Sequence, residues 1–444
     1  MSVVSLVFYA WGGGYFTLVL LACIVVNYTA GIAIGDRLTE QPLARRNALI
    51  ATIVFDLGVL VIWKYAGFAS QQIESLSDAL GLGSSPIVHL ALPIGISFFT
   101  FHHLSYVVDI YRETRRPLRN PVSFVTYIAM FPQLVAGPIV RYHEIADQLD
   151  DVRPNRLDDF AAGFPRFALG LSKKVIVADT IAPVADAMFA LGSGNLTTAT
   201  AWIGVLAYTM QIYFDFSGYS DMAIGLGRMF GFRLPENFAR PYSASSITDF
   251  WRRWHMSLSR WFRDYVYIPL GGNRGGPRMM YRNLFIVFTL TGLWHGANWT
   301  FLVWGLYHGC LLIAERVTGW SAVDDRSIIF RRALTFALVM IGWVFFRAAN
   351  VEQALDILHA MFVPSGLAIA DAVDVALTQQ RTVTLILALF VVLLPPSFVL
   401  GRVLDEDRTP VAHVARYAVM TAGAFYAAVL VAAGTFSPFL YFQF

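Results

Sequence analysis

Runs of about twenty apolar residues recur along this chain, near positions 15–34, 47–66, 88–110, 164–190, 200–228, 332–347, 382–400 and 411–433. A bilayer hydrocarbon core about 30 Å thick takes about 20 residues of α-helix to cross, and a backbone inside it must satisfy its own hydrogen bonds. The pattern predicts an all-α, polytopic integral membrane protein. Composition agrees, with 57% apolar and only 14% charged residues in 444, too few charges for a soluble globular surface. The net charge of +3 gives no ground for nucleic-acid binding. Cys23 and Cys310, the two cysteines, both lie in apolar segments. Neither a disulfide framework nor a thiolate metal site is expected from them. Residues 1–11 lack the basic stretch of a cleavable signal peptide.

Basic residues orient the helices, because cytoplasmic loops carry excess Lys and Arg. By this rule four connections are cytoplasmic: those with Arg37, Arg45 and Arg46; with Arg112, Arg115, Arg116 and Arg119; with Arg233 through Arg282; and with Arg402 and Arg408. Residues 69–90, 191–201 and 348–380 contain no Lys or Arg and are expected outside. The alternation closes only if residues 121–140 do not cross, since Arg119 and Arg141 flank them. Pro132, Gly137 and Pro138 in "FPQLVAGP" fit a re-entrant or broken segment there. Residues 283–314, between Arg282 and Arg316, read as a hairpin or two broken helices, with "WHGANW" at the turn.

One long polar segment, 231–282, holds nine arginines interleaved with Trp251, Trp254, Trp261, Phe262, Tyr265 and Tyr267. Between Thr248 and Tyr267 the spacing predicts an amphipathic helix lying at the membrane interface, with Thr248 and Asp249 as caps. The turn residues of "IPLGGNRGGPR" end it.

Histidines are the candidate chemical groups. Those at 89, 143, 359 and 413 fall in loops or near segment ends and read as structural. His102 and His103 sit beside Ser97, Thr100, Ser105 and Tyr106 and read as packing residues. His255 in "RWHMSL" and His295 in "LWHGANW" stand out, both beside aromatic walls. An ionisable side chain at membrane depth is a functional candidate by default, because burying it is costly unless it faces a cavity. Position alone leaves open catalysis, a proton relay or metal ligation. No His-x-x-x-His or Cys-x-x-Cys spacing supports a metal. A proton-coupled transporter or flippase would use acids in the spans, for which Asp56, Asp109, Asp215 and Asp221 are available, the last two on different faces of a helix that "FSGYS" could interrupt. No internal repeat supports that class. A scaffold for an export complex is the other alternative.

Several long motifs occur in a recognisable order: "LPIGISFFTFHHLSYVVDIYR" (92–112), "FPQLVAGPIVRY" (131–142), "YFDFSGYSDMAIGLGRMFGFRLPENFARPY" (213–242), "SITDFWRRWHMSLSRWFRDYVYIPLGGNR" (246–274), "LTGLWHGANWTFLVWGLYHG" (290–309) and "FSPFLYFQF" (436–444). With them the chain strongly resembles the membrane-bound O-acyltransferase family, in its bacterial alginate O-acetylation branch, over nearly its whole length. The resemblance implies a single membrane-embedded domain spanning 1–444, a multi-helix bundle around a central tunnel, with a thioester donor entering from the cytoplasm. It places the family's two functional histidines on His295 and His255. Trp294 and Asn298 flank the first, and His308 in "YHG" matches a further histidine of the branch.

The implied activity is transfer of an acetyl group from cytoplasmic acetyl-CoA across the bacterial inner membrane toward an exopolysaccharide such as alginate. A periplasmic acetyltransferase partner would finish the transfer, and no tightly bound cofactor is expected. Other acceptors, such as cellulose or peptidoglycan, and another acyl group, such as D-alanine, fit the same motifs. A neutral imidazole can take the acceptor's proton as general base or carry the acyl group itself. The cytoplasmic arginines could attract coenzyme A phosphates, or could simply mark topology and touch lipid headgroups. Family members carry one more hydrophobic helix and a basic loop before "FYAWG", which stands here at 8–12. The chain is therefore expected to lack that helix or to start downstream of it.

Overall fold

Each apolar run becomes a helix, but the helix ends are set by proline, glycine and charge rather than by hydropathy. The computed structural model describes residues 1–83, 86–149, 156–320, 327–394, 410–434 and 439–440, and no β-strand occurs among them. Arg402, Arg408 and most of the C-terminal motif lie outside the described residues, as does the side chain of His413. The chain divides into two compact units, residues 1–159 with 227–235, and residues 160–226 with 236–444.

The first unit holds α1 (Ser2–Gly13), α2 (Phe16–Ile32), α3 (Pro42–Ala79), α4 (Ile96–Tyr111), α5 (Pro121–Ala129), α6 (Phe131–Leu134) and α7 (Tyr142–Leu149). The end of α2 widens into a π-turn at Ala33–Arg37. α3 begins on a proline, whose missing N–H costs nothing in a first turn. Its 38 residues are far longer than the expected 47–66. α4 is the core of the unit, buried at nearly every position. The segment after α5 does not run on as a helix: α6 is four residues long, and buried irregular backbone follows it, as Pro132, Gly137 and Pro138 require. Neighbours satisfy that backbone. His102 Nε2 accepts from Val140 N–H at 3.3 Å, so this histidine has the packing role expected of it.

The second unit opens within α8 (Arg156–Ser172), which continues through a π-turn into α9 (Asp179–Phe189), and then α10 (Thr198–Met229). "FSGYS" does not interrupt α10. Its two acids are held by cations from the preceding pair: Lys174 lies 2.8 Å from Asp215, and Lys173 and Arg166 each lie 2.6 Å from Asp221. Short elements follow, α11 (Ile247–Trp251) and α12 (Met256–Phe262), then the hairpin α13 (Gly276–His295) and α14 (Trp299–Thr318). α15 (Ile328–Arg347), α16 (Val351–Phe362), α17 (Asp371–Ala376), α18 (Gln379–Leu393) and α19 (Pro410–Ala432) complete it. Of the C-terminal motif, Phe439 and Leu440 are buried, and Leu440 N–H donates to Asp215 at 3.0 Å.

Among the described residues, three helices are long and apolar enough to cross a membrane by length and composition: Phe16–Arg37, Pro42–Ala79 and Ile328–Arg347. Eight such runs were expected. The runs near 382–400 and 411–433 include residues outside those described, and for the other three the shortfall has physical causes. Pro93 and Gly95 delay α4 to residue 96 and leave 16 helical residues. α8 to α10 carry the ion pairs just described.

The expected amphipathic helix over 248–267 is not continuous. It is broken between α11 and α12, where His255 takes a left-handed backbone with φ 44°. Its cap is Ser246, whose hydroxyl accepts from Asp249 N–H at 3.0 Å, and neither Thr248 nor Asp249 caps it. Trp251, Trp254, Trp261 and Phe262 are buried in the unit rather than laid on a surface.

Candidate active site

The hairpin that carries His295 depends on a close helix crossing. A Cβ on Gly305 would stand 2.4 Å from the Phe288 carbonyl oxygen and 3.1 Å from the Gly292 Cα, so only glycine lets α13 and α14 lie this near. α13 ends at His295, extended backbone at Gly296 opens the turn, and Asn298 caps α14 by accepting from Thr300 N–H at 3.1 Å. The amide of Asn298 donates to the Ala349 carbonyl at 2.9 Å, which fastens the turn to the end of α15. His295 therefore stands at the apex of an apolar hairpin, where the sequence placed it. It is 6% exposed, with the rings of Trp294, Trp304 and Phe346 at 4.9, 5.0 and 5.1 Å.

His255 reaches the same neighbourhood from the broken segment. A left-handed backbone costs a non-glycine residue about 1–2 kcal/mol and persists only where its surroundings hold it. Here two backbone bonds do so: Met256 N–H donates to the Asn237 carbonyl and Ala239 N–H to the Arg253 carbonyl, both at 2.9 Å. The Asn237 side-chain oxygen accepts from Ser257 N–H at 3.2 Å and from the Ser257 hydroxyl at 2.9 Å, and lies 3.1 Å from His255 Nδ1. An oxygen that already accepts twice is matched by an N–H, so Nδ1 carries the proton of the neutral ring. Nε2 then bears the lone pair, and among the described residues it has no hydrogen-bond partner.

His255 lies in the connection between apolar helices, outside the candidate spans. Complete burial pushes its imidazole down from the ordinary 6.5 to about 3, so the ring is neutral at working pH. Phe216 packs edge-on at 4.8 Å, and Trp294 lies 6.2 Å away. Trp294 is thus a ring neighbour of both His255 and His295.

His308, on α14, is fully buried among Trp251, Trp304 and Tyr307, with ring centroids at 5.1, 5.2 and 5.2 Å. Neither of its ring nitrogens has a hydrogen-bond partner among the described residues. A Cβ on Gly342 would stand 2.6 Å from its Nε2. Trp304 touches both His295 and His308. The structure therefore gathers His255, Trp294, His295 and His308 along one aromatic wall, while Asn298 serves the turn.

Two residues escaped the sequence reading. Asn237 sits in the quoted "RLPENFARPY" stretch, 18 positions before its partner His255, and no local periodicity connects them. Glu315, beside the topological marker Arg316, is buried and accepts from the Ile247 and Thr248 N–H groups and the Thr248 hydroxyl. It anchors α11, whose Phe250 and Trp251 wall His308. A lone acid at the end of an apolar run was the available signal for it.

The sequence profile of the membrane-bound O-acyltransferase family matches residues 84–349, a span that contains every element of this site. The chain belongs to the membrane-bound O-acyltransferase family. It is 46% identical over 391 residues to the probable alginate O-acetylase AlgI of Pseudomonas aeruginosa, covering 88% of this chain and 74% of that protein. It is 37% identical over 394 residues to the peptidoglycan O-acetyltransferase of Helicobacter pylori, covering 82% and 73%. Similarity extends to the teichoic acid D-alanyltransferase of Bacillus subtilis, 29% identical over 275 residues, covering 57% and 68%. The protein is a membrane O-acyltransferase.

Proposed function

We propose that this O-acyltransferase takes an acetyl group from acetyl-CoA on the cytoplasmic side of the bacterial inner membrane and passes it outward for O-acetylation of an exopolysaccharide of the alginate kind. A periplasmic acyltransferase partner completes the transfer to sugar hydroxyls. The acetyl group and the polysaccharide rest on the relatives: identity is 46% to a probable alginate O-acetylase, against 37% and 29% to the peptidoglycan and teichoic acid enzymes. Donor access rests on Arg274, exposed in the turn before α13, and Arg278, exposed in the first turn of α13, both available for coenzyme A phosphates.

The observation that carries the catalytic assignment is the fixed tautomer of His255, buried and neutral, one tryptophan away from His295. Acyl transfer from a thioester needs a neutral imidazole. In one route the ring removes the acceptor's hydroxyl proton as the oxygen attacks the carbonyl, the C–S bond breaks and the thiol leaves. In the other a ring nitrogen attacks the carbonyl, the C–S bond breaks and the thiol leaves, and the acceptor hydroxyl then takes the acyl group from the ring, which is freed. We assign His295 to the reacting centre, His255 to its proton chemistry, and Trp294 and His308 to the wall that excludes water. Asn298 holds the turn.

Labelled acetyl-CoA supplied to the purified protein with its acceptor partner tests this. His295→Ala should lower transfer at least about a hundredfold, the scale of a lost general base, in protein that still folds and inserts in the membrane. Transfer at the normal rate in that variant removes His295 from the reaction. A labelled adduct on His295 that survives denaturation selects the covalent route.

A further inference from the structure

The second unit carries an apolar groove apart from its histidines. It encloses about 560 Å³ between α10, α15 and α18, with Tyr242 and Ser243 at its floor, and neither His255, His295 nor His308 lines it. From α15 it takes Ile329, Arg332, Ala333, Phe336 and Met340, whose spacing of three and four residues puts them on one face of the helix. Leu206 of α10 and Leu389 and Leu393 of α18 contribute to the other walls. Arg332 is the one charged side chain among the lining residues, so the cation and the apolar walls belong to the same cavity. Its Nε is buried without a hydrogen-bond partner, and its guanidinium makes no ion pair among the described residues.

Length and opening narrow the occupant. α15 is 20 residues long and apolar enough to cross a bilayer. Arg332 stands one turn inside its start, from where a long guanidinium side chain reaches headgroup level, and Met340 lies near its middle. Between Ile329 and Met340 the helix rises about 16 Å, close to the ~15 Å of hydrocarbon in one leaflet. The rim is uncovered, since Ile329 and Leu393 are 80% and 58% exposed. In a bilayer such a rim opens toward lipid tails. A leaflet-deep apolar groove with a single cation at its headgroup end has the dimensions and charge of one acyl chain below an anionic head.

We infer that this groove seats one acyl chain of an anionic phospholipid, with the headgroup phosphate on Arg332 and the methyl end beside Met340. The chain covers the apolar walls, and the phosphate oxygens accept charge-assisted hydrogen bonds from the guanidinium. The floor gives the lipid a bearing on the enzyme. Phe336 packs edge-on against Tyr242 at 5.4 Å, and the Tyr242 hydroxyl accepts from Trp343 Nε1 at 3.1 Å. A free fatty acid shares this chemistry, with its carboxylate in place of the phosphate.

Photo-crosslinking of the full chain in phosphatidylcholine nanodiscs decides the matter, with phosphatidylglycerol and phosphatidylcholine probes that carry a diazirine near the end of one acyl chain. In the wild type the phosphatidylglycerol probe should label peptides containing Met340 or Leu206 above any other apolar helix face, and more than the phosphatidylcholine probe does. Arg332→Ala should cut that label about fivefold, the scale of one juxtamembrane arginine, and Arg332→Lys should keep most of it. Ala333→Trp and Leu393→Trp, which fill the groove from α15 and from α18, should each remove it. Phe330→Trp, exposed on α15 outside the groove, should not. Unchanged labelling in Arg332→Ala or in both filled variants, an equal loss in Phe330→Trp, equal labelling by the two probes, or label spread evenly over exposed helices such as α3 would overturn the proposal. Loss of the label to oleate at the probe's own concentration would overturn the phospholipid assignment in favour of a free fatty acid.

Discussion

At the scale of single residues the decisive feature is that His255 is set before any substrate arrives. A buried imidazole has two neutral tautomers, and only the one with a bare Nε2 presents a base on that side of the ring. The Asn237 oxygen selects it from 3.1 Å. Burial supplies the second condition, since an imidazole held to about 3 stays neutral as the solution becomes mildly acidic. The sign follows directly. The base form is lost only as pH falls through the lowered value, so the His255 contribution to the rate should stay flat from pH 8 down to about pH 5, whereas an ordinary imidazole would lose it progressively below about 6.5. Asn237→Ala should lower kcat about ten- to a hundredfold, as losing the orienting partner of a functional histidine does, and leave KM nearly unchanged. Asn237→Asp keeps an acceptor but adds a negative charge that favours the imidazolium. It should recover activity at pH 8 and lose it again by pH 6. An unchanged pH profile in Asn237→Asp would show that Asn237 serves only the fold.

Among the elements, the helical runs were legible because apolar length is a local property, and so was the hairpin that brings His295 inward. The break at His255 was not. Trp251, Trp254, Arg252 and Arg253 recur at helical spacing, and the left-handed residue that stops the helix is imposed by Asn237 and Ala239, which lie far off in sequence. Ser246 and not Thr248 is the cap because Glu315 accepts from the Ile247 and Thr248 N–H groups and so fixes where the helix starts, again a tertiary fact. The α13 and α14 crossing gives a prediction at this scale. Gly305→Ala forces a Cβ into the Phe288 carbonyl and should cost about 1–3 kcal/mol, the range for overpacking, read as a lower melting temperature with reduced acyl transfer. The acids of the spans give the opposite prediction. Asp56 accepts from the Asn27 amide at 2.7 Å, and Asp215 and Asp221 are held by cations, so each has a structural partner. Asp56→Asn should leave acyl transfer within about twofold of normal and change stability by no more than about 1 kcal/mol. A proton carrier would lose its function in that variant.

For the whole molecule, the distribution of charge makes a claim that no single helix makes. Arginines gather in the connections at 112–119 and 233–282, while 191–201 and 348–380 have none. Lys and Arg near helix ends are retained on the cytoplasmic face, so the charge distribution predicts the Arg274 turn inside and the Gly194 turn outside. The proposed outward transfer requires this asymmetry, because its acetyl-CoA donor would be taken up on the cytoplasmic side and its polysaccharide acceptor would lie beyond the membrane. Single cysteines test it. Cys310 is exposed and would be removed first, while Cys23 is buried. Gly194 has open space around its Cβ position, and Arg274 is exposed, so a thiol fits at either site without strain. In intact cells a membrane-impermeant maleimide should label Gly194→Cys and not Arg274→Cys, and opening the cells should expose the second. The reverse pattern would put the arginine-rich turn outside, away from the donor, and the proposed direction of acyl transfer would fall with it.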